Sequence, residues 1–245
     1  MKPTGILTLT TVAALVLAGP LWGQSPEVQE RVVALKKTLQ DDQTKLKQYE
    51  WIETTIVSVK GKETVRMQNR CYWGEEGKLQ KVPVVAPEEP KKKRGLRGRI
   101  AEKKKEEMTD YMKSAVEIVK LYVPPDPNRI GAAKDKGKAS LHMIQPGKRV
   151  RLEFRDYRLA GDMLGVEIDL TNNHLLGLKV ATYLSDPKDA VTLNVKFASL
   201  KDGTGYPAKT ILDAKAKEIK VTVENSGYRK AKLEQDSQQR PSSNP

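Results

Sequence analysis

The chain has 245 residues, with 44 Lys and Arg against 31 Asp and Glu, a net charge of +13 and a single cysteine. One cysteine excludes an internal disulfide, so the stability of the fold must come from a packed core. The positive charge favours anionic partners or serves solubility alone, and it does not specify a fold.

Residues 1–23 have the order of a secretory signal peptide. Lys2 precedes an apolar run from Ile6 to Ala18, and a Gly-Pro break precedes Gly23. The run is shorter than the ~20 apolar residues that a membrane-spanning helix needs. We predict cleavage after Gly23 and a periplasmic or secreted, soluble protein; an uncleaved N-terminal anchor is the alternative. Export favours an anionic membrane surface or envelope protein over nucleic acid as the partner of a basic protein.

The first elements after this segment are a helix and a meander. Apolar residues recur at intervals of three, four and seven along residues 26–47: Val28, Val32, Leu35, Leu39 and Leu46. This spacing predicts an amphipathic helix. Runs rich in β-branched and aromatic residues at 49–59, 63–73 and 79–85 are separated by glycine-containing turns, which predicts a three-stranded meander.

A strongly basic segment follows the meander. Between Lys91 and Lys105 there are nine basic residues and one acid, Glu102. Prolines and glycines predict a loop over 86–99 that leads into a helix. The residues of this loop that we predict to contact an anionic surface are Lys91, Lys92, Lys93, Arg94, Arg97 and Arg99. A solvated insertion without a partner is the alternative.

The helix after the basic segment has an apolar face that runs from Met108 through Met112 to Tyr122. Such a stripe packs against a core or lines a cavity. A flexible connection is predicted from Gly131 to Lys138. Seven further β runs are predicted at 139–145, 149–159, 163–171, 175–184, 190–200, 206–214 and 217–225. Their short connections indicate antiparallel pairing, and about ten strands in one open sheet are expected to curl.

These elements predict one α+β domain over residues 24–228, a curved antiparallel sheet (an open or half β-barrel) with two packed helices. The polar residues 229–245 are predicted to form a disordered tail.

No recognisable catalytic or metal motif is present. His142 and His174 are isolated, and Cys71 lies on a predicted strand where a buried apolar role is commoner than a reactive thiol. Two acid pairs could be read as a glycosidase dyad, although carboxylates are common on strand surfaces: Asp156 with Asp162, and Glu167 with Asp169. We therefore predict a binding protein rather than an enzyme, with no metal and no cofactor.

The order of these parts resembles the periplasmic lipoprotein-carrier (LolA/LolB-like) superfamily, which includes outer-membrane lipoprotein-sorting proteins and sigma-factor regulators. The meander opens with Tyr49-x-Trp51-x-Glu53. The late segment looks like that family's strand, Asp-Gly turn, Pro-containing strand and final strand: Val195-Lys196-Phe197, Asp202-Gly203, Tyr206-Pro207, Ile211 and Ile219 to Val223. The resemblance covers most of residues 26–228. The basic segment is longer and more charged than the family pattern.

The resemblance implies an unclosed barrel whose apolar concave side, covered by helices, holds a lipid or lipoprotein acyl chain or receives a protein segment. The residues that we predict to face such a ligand are Trp51, Ile56, Trp73, Met108, Met112, Phe154, Val166, Ile168, Val180 and Phe197, with Leu152, Leu164, Leu178 and Val195 as further candidates. Each of them could instead belong to the core. The alternative function is regulatory or structural, with the basic loop contacting an anionic envelope surface or a partner protein.

Overall fold

The computed structural model describes residues 26–74, 76–85 and 96–231. Within them the chain forms three helices and ten strands. The helices are α1 (Pro26–Leu46), α2 (Leu96–Lys120) and α3 (Pro127–Asp135). The strands are β1 (Tyr49–Val59), β2 (Lys62–Trp73), β3 (Leu79–Pro83), β4 (Ala139–Gln145), β5 (Arg149–Arg155), β6 (Met163–Asp169), β7 (His174–Tyr183), β8 (Ala190–Ser199), β9 (Gly205–Ala214) and β10 (Ile219–Lys230).

All ten strands belong to one antiparallel sheet. Its order is β3-β2-β1-β10-β9-β8-β7-β6-β5-β4, so β3 and β4 are the two edges and the sheet is not closed into a barrel. Neighbours in the sheet are neighbours in the chain, except that β1 pairs with β10. The predicted α+β class and the open antiparallel sheet are confirmed.

The core lies between the helices and one face of the sheet, which we call the helix face. Register places apolar residues side by side across it, and one such row contains Phe154, Leu164, Val180, Leu193, Leu212 and Val221. Leu35 and Leu39 of α1, Val119 of α2 and Ile130 of α3 join the same buried cluster. The alternation of apolar and polar residues along the strands accounts for this buried face.

The prediction of two helices and a flexible connection over 131–138 was wrong, because α3 occupies most of that segment. Asp126 caps this helix by accepting a hydrogen bond from the Asn128 backbone N–H, and Pro127 takes the first position. Ile130, Gly131 and Ala133 are buried. The Pro-Pro-Asp-Pro sequence that ends α2 thus also supplies the cap and first residue of the next helix.

Two predicted boundaries also shift. α2 begins at Leu96, inside the loop predicted over 86–99, so Arg97 and Arg99 belong to a helix. β10 continues to Lys230, inside the predicted tail, because it pairs with β1 as far as Tyr49. Within the described part of the chain, no helix is both long and apolar enough to cross a membrane.

Candidate functional site

A cavity of about 290 Å³ lies between the second half of α1 and one end of the sheet. At this end β1, β7 and β9 begin, while β2, β8 and β10 finish. The cavity lining is Leu39, Asp42, Gln43, Leu46, Lys47, Trp51, Trp73, Gly77, His174, Leu175, Phe197, Gly205, Tyr206, Pro207, Asn225 and Tyr228. The volume lies near the lower end of the range for small-molecule sites, and the mainly apolar lining with a few polar groups is typical of them.

Aromatic rings form much of the cavity wall. Trp51 stacks on Tyr228 with 5.4 Å between ring centroids and 13° between ring planes. Tyr206 lies against the same Tyr228 ring, 4.4 Å away and tilted by 51°. Trp73 and Phe197 complete the aromatic lining. Trp51 and Trp73 are the only tryptophans after Trp22, so both tryptophans among the described residues line this cavity.

A β-bulge places Tyr228 in the cavity. Ile52 pairs with Ser226, whereas Glu50 pairs with Arg229, so β10 has one residue more than β1 over this stretch. Gly227 has a φ of +64°, the left-handed conformation that a glycine bulge requires. The extra residue reverses the alternation of β10. Tyr228 consequently faces the same side as Trp51.

Hydrogen bonds hold the aromatic wall in position. The Trp51 indole N–H donates to Asn225 Oδ1 over 3.1 Å, and the Asn225 side-chain amide donates to the Pro207 carbonyl over 2.9 Å. The Tyr49 hydroxyl donates to Asp202 Oδ2 over 2.6 Å. This bond, together with one from the Thr204 backbone N–H, lowers the pKa of Asp202 to about 2. The wall is therefore tied to β1, β9 and β10 and to the turn between β8 and β9.

Asp42 is the acid of the cavity. Its side chain is 8 % exposed, and burial raises the pKa of its carboxyl above the ordinary value, while a hydrogen bond from the Gly205 N–H and the charge of His174 act in the opposite direction. His174 also lines the cavity and lies 3.1 Å from Ser199 Oγ through Nδ1. Asp42 thus places a buried acid in an otherwise apolar helix stripe at the cavity wall.

Trp73 offers a hydrogen-bond donor at the wall. Its indole nitrogen is buried and has no hydrogen-bond partner among the described residues. Lys47 places its ammonium 6.0 Å from the centre of the Trp73 ring. Buried polar atoms are nearly always satisfied, so this N–H is available to a ligand oxygen or a water.

Three of the predicted ligand residues meet in this cavity: Trp51, Trp73 and Phe197. The others do not line it. Phe154, Val166, Ile168 and Val180 are buried in the core, as are Leu152, Leu164, Leu178 and Val195. Ile56 is five residues from Trp51 on the same strand and so faces the opposite side of the sheet.

Met108 and Met112 lie on α2, which approaches the other end of the sheet. Tyr111 beside them donates a hydrogen bond to Asp189, next to the start of β8, whereas the cavity lies where β8 finishes. Met112 packs against the main core. Both methionines therefore belong to the helix that approaches the end of the sheet remote from the cavity, and neither of them lines the cavity.

Residues considered for catalysis are dispersed. Burial raises the pKa of the Cys71 thiol to about 12, which opposes formation of a thiolate. The four acids of the two predicted pairs have structural partners: Lys138 for Asp156, Tyr122 for Asp162, Arg151 for Glu167, and the Thr171 backbone N–H for Asp169. Among the described residues no group of three or more His, Cys, Asp or Glu side chains is arranged to hold a metal ion.

Of the predicted basic contact residues, Lys91, Lys92, Lys93 and Arg94 lie outside the described residues. Arg97 is on the first turn of α2, and Arg99 two residues later is exposed. The described side chains from Glu102 to Glu107 are exposed as well, and Ile100 is 62 % exposed. The beginning of α2 is therefore accessible, and contact of α2 with the core begins near Tyr111.

Two solved structures match most of the chain. A LolA superfamily protein from Nitrosomonas europaea aligns with 80 % of this chain and 94 % of its own, at 10 % identity and a TM-score of 0.32. A DUF1329 family protein from Desulfovibrio piger aligns with 81 % of this chain and 92 % of its own, at 8 % identity and a TM-score of 0.34. No family model and no curated protein matches the sequence. The chain is thus similar to a solved LolA superfamily structure over most of its length. The cavity described above is defined by the residues of this chain alone.

Proposed function

We propose that this protein binds the apolar part of a small or amphipathic ligand in the cavity beneath α1, without making or breaking a bond. The observation that supports this function is the cavity itself, whose volume is about 290 Å³ and whose lining includes the aromatic side chains Trp51, Trp73, Phe197, Tyr206 and Tyr228. Aromatic walls supply a large apolar contact area at a low cost in side-chain entropy.

The surroundings of the cavity support binding rather than catalysis. Burial strongly raises the pKa of the Cys71 thiol, and the histidine of the cavity, His174, has its Nδ1 within hydrogen-bond distance of Ser199 Oγ, on another strand. A lipid or lipoprotein acyl chain is the ligand class that the resemblance to lipoprotein carriers implies. With the predicted signal peptide over residues 1–23, such binding would take place in the periplasm or outside the cell.

A fluorescent probe tests this proposal. N-phenyl-1-naphthylamine is neutral and apolar, and tryptophan emission excites it when it is bound close by. In the full chain carrying Trp22→Phe, the remaining tryptophans both line the cavity, so we expect saturable energy transfer from them to one bound probe.

Two matched substitutions on α1 show where the probe binds. Leu46→Arg places a charge in the cavity lining, whereas Val33→Arg places it on a side chain that is 66 % exposed. We expect Leu46→Arg to abolish saturable binding and Val33→Arg to leave it unchanged, with thermal melts confirming that both variants fold. Absence of saturable binding in the parent, or equal binding in both variants, would overturn the proposal.

A second candidate function is contact with an anionic envelope surface through the basic segment. The exposure of the first half of α2, with Arg99 and Lys103 to Lys105 all accessible, favours it. Neutralising Lys91, Lys92, Lys93 and Arg94 is expected to weaken binding to phosphatidylglycerol vesicles. The matched control neutralises four exposed lysines elsewhere: Lys60, Lys188, Lys201 and Lys217. An equal loss in both variants would reduce the effect to net charge and reject this segment as a contact surface.

A further inference from the structure

Asp42 occupies a position where an amphipathic helix would ordinarily carry an apolar residue. It lies three residues after Leu39 and four before Leu46, both of which line the cavity with it. Burying an ionised carboxylate without a full partner costs free energy, which is why buried charges are normally paired. A buried acid in the stripe therefore needs an explanation beyond packing.

The contacts of Asp42 within the protein do not fully compensate its burial. The Gly205 backbone N–H donates to it, and the charges of His174 and Lys45 attract it, while Asp41 repels it. Burial still outweighs these contributions, because the pKa of Asp42 is raised overall. The carboxylate would gain from one more positive or donating partner.

The backbone is shaped around this carboxylate. A Cβ atom built on Gly205 would lie 2.5 Å from Asp42 Oδ2, so glycine permits the approach that brings the carboxylate against the start of β9. Pro207 and Tyr206, which follow Gly205 on β9, line the same cavity. The acid is thereby held at the cavity wall instead of turning outward to water.

The rest of the cavity suits a cation. Faces of tryptophan and tyrosine rings attract ammonium groups, most strongly where water is excluded. An alkylammonium already lies against one ring of the lining, since Lys47 Nζ is 6.0 Å from the centre of Trp73. Aromatic faces together with a carboxylate are the combination that recognises organic ammonium ions.

We propose that the cavity selects ligands that carry an organic ammonium group on an apolar body, with the ammonium at Asp42 and the apolar part against the aromatic wall. This inference rests on the proposed binding function and adds the charge of the ligand to it. It opposes the net charge of the protein, which is +13 and would by itself favour anions.

Three probes of equal chain length test the charge preference: octyltrimethylammonium, octanoate and octanol. Binding is followed by tryptophan fluorescence in the full chain with Trp22→Phe. We expect octyltrimethylammonium to bind about tenfold more tightly than either of the others, in line with a charge-assisted contact in a water-poor site.

The matched variants are Asp42→Asn and Asp41→Asn, which make the same charge change at neighbouring positions of α1. Asp41 is exposed, whereas Asp42 is buried. We expect Asp42→Asn to remove the preference for the cation and Asp41→Asn to keep it. Thermal melts check that each variant folds.

A pH series on the parent gives a second measurement that does not depend on a variant folding. Cation affinity should fall as acid protonates Asp42, while octanol affinity should stay constant. Because His174 lines the same cavity and its charge acts on Asp42, the series is repeated with His174→Gln, which should retain the loss at low pH.

The outcomes separate the two proposals. Equal affinity for the three probes in the parent, or a cation preference that survives Asp42→Asn, would overturn the charge selectivity and leave apolar binding intact. No saturable binding of any probe would overturn the proposed function as well.

Discussion

Trp51 of β1 stacks on Tyr228 of β10, with ring centroids 5.4 Å apart and planes 13° from parallel. Because Trp51 is only 4 % exposed, replacing it with alanine removes a large buried contact and should lower the free energy of unfolding by about 3–5 kcal/mol. Trp51→Phe keeps a ring on Tyr228 and should cost much less. Urea unfolding measures both. The control is Tyr72→Ala, because Tyr72 lies on β2 and faces the side of the sheet opposite to Trp51. A similar loss of unfolding free energy in this control would contradict a special role for the stack.

The approach of Asp42 to Gly205 predicts a coupled pair. Gly205→Ala places a methyl group 2.5 Å from the present position of Asp42 Oδ2, so the carboxylate must move away from the Gly205 N–H. Loss of a hydrogen bond to a charged group should lower the free energy of unfolding by about 1.5–3 kcal/mol. In an Asp42→Ala background the same Gly205→Ala change should cost little, because the clashing atom is gone.

A double-mutant cycle by urea unfolding measures this coupling. Gly165→Ala is the control glycine, since its added methyl group would meet its nearest neighbour at an ordinary 3.7 Å. Additive costs for Gly205→Ala and Asp42→Ala would show that the two residues do not interact.

Burial of Asp42 also predicts a pH dependence of stability. In the folded protein its pKa is raised above the ordinary value of 3.8. Folding therefore takes up a proton over the window of pH between 3.8 and the raised pKa. The cost of the buried charge is absent below this window and complete above the raised pKa. The stability of Asp42→Asn relative to the parent should therefore increase as the pH rises above the ordinary value of 3.8 and level off once Asp42 is ionised in the folded protein. Urea midpoints across this range measure it; Asp41→Asn should show a smaller change, and a flat difference for Asp42→Asn would refute the prediction.

Glu53 and Lys81 form a largely buried ion pair near Trp51. Lys81 Nζ lies 2.6 Å from both carboxylate oxygens of Glu53, which is 7 % exposed. Lys81→Met leaves that carboxylate without its partner and should lower the free energy of unfolding by about 3–5 kcal/mol. Adding Glu53→Gln should restore most of the loss. Lys113→Met, which breaks the exposed pair with Asp110, should cost about 0.5 kcal/mol or less, and equal losses at the two sites would contradict the effect of burial.

Much of the fold could be predicted from the sequence because its strands alternate regularly and are separated by clear turns. The predicted runs at 49–59 and 139–145 coincide with β1 and β4, and the buried row through Phe154, Leu164 and Val180 follows from alternation alone. What alternation cannot supply is the pairing of β1 with β10. That pairing decides which strand ends meet, and hence where the cavity lies.

The site was predicted only in part for the same reason. Trp51, Trp73 and Phe197 were predicted as ligand residues, whereas Tyr228 was not. Tyr228 follows a bulge in β10, and the extra residue of the bulge reverses the alternation on which the prediction of sheet faces depends. Gly227 next to it was the available signal. Asp42 could also have been found, because it falls on the face defined by Leu35, Leu39 and Leu46 and is the acid in that stripe.

The pairing of β1 with β10 has a consequence for how the molecule is completed. Strands β1 to β3 can assemble from hairpins soon after they are made, and so can β4 to β10, but the two groups join only through residues as distant as Tyr49 and Lys230. Contacts so far apart in the chain form slowly, and β10 is the last of the described strands to be synthesised. Trp51 and Tyr228 belong to this closing ladder. A nascent chain that lacks β10 can therefore have most of its strands paired and still lack one wall of the cavity.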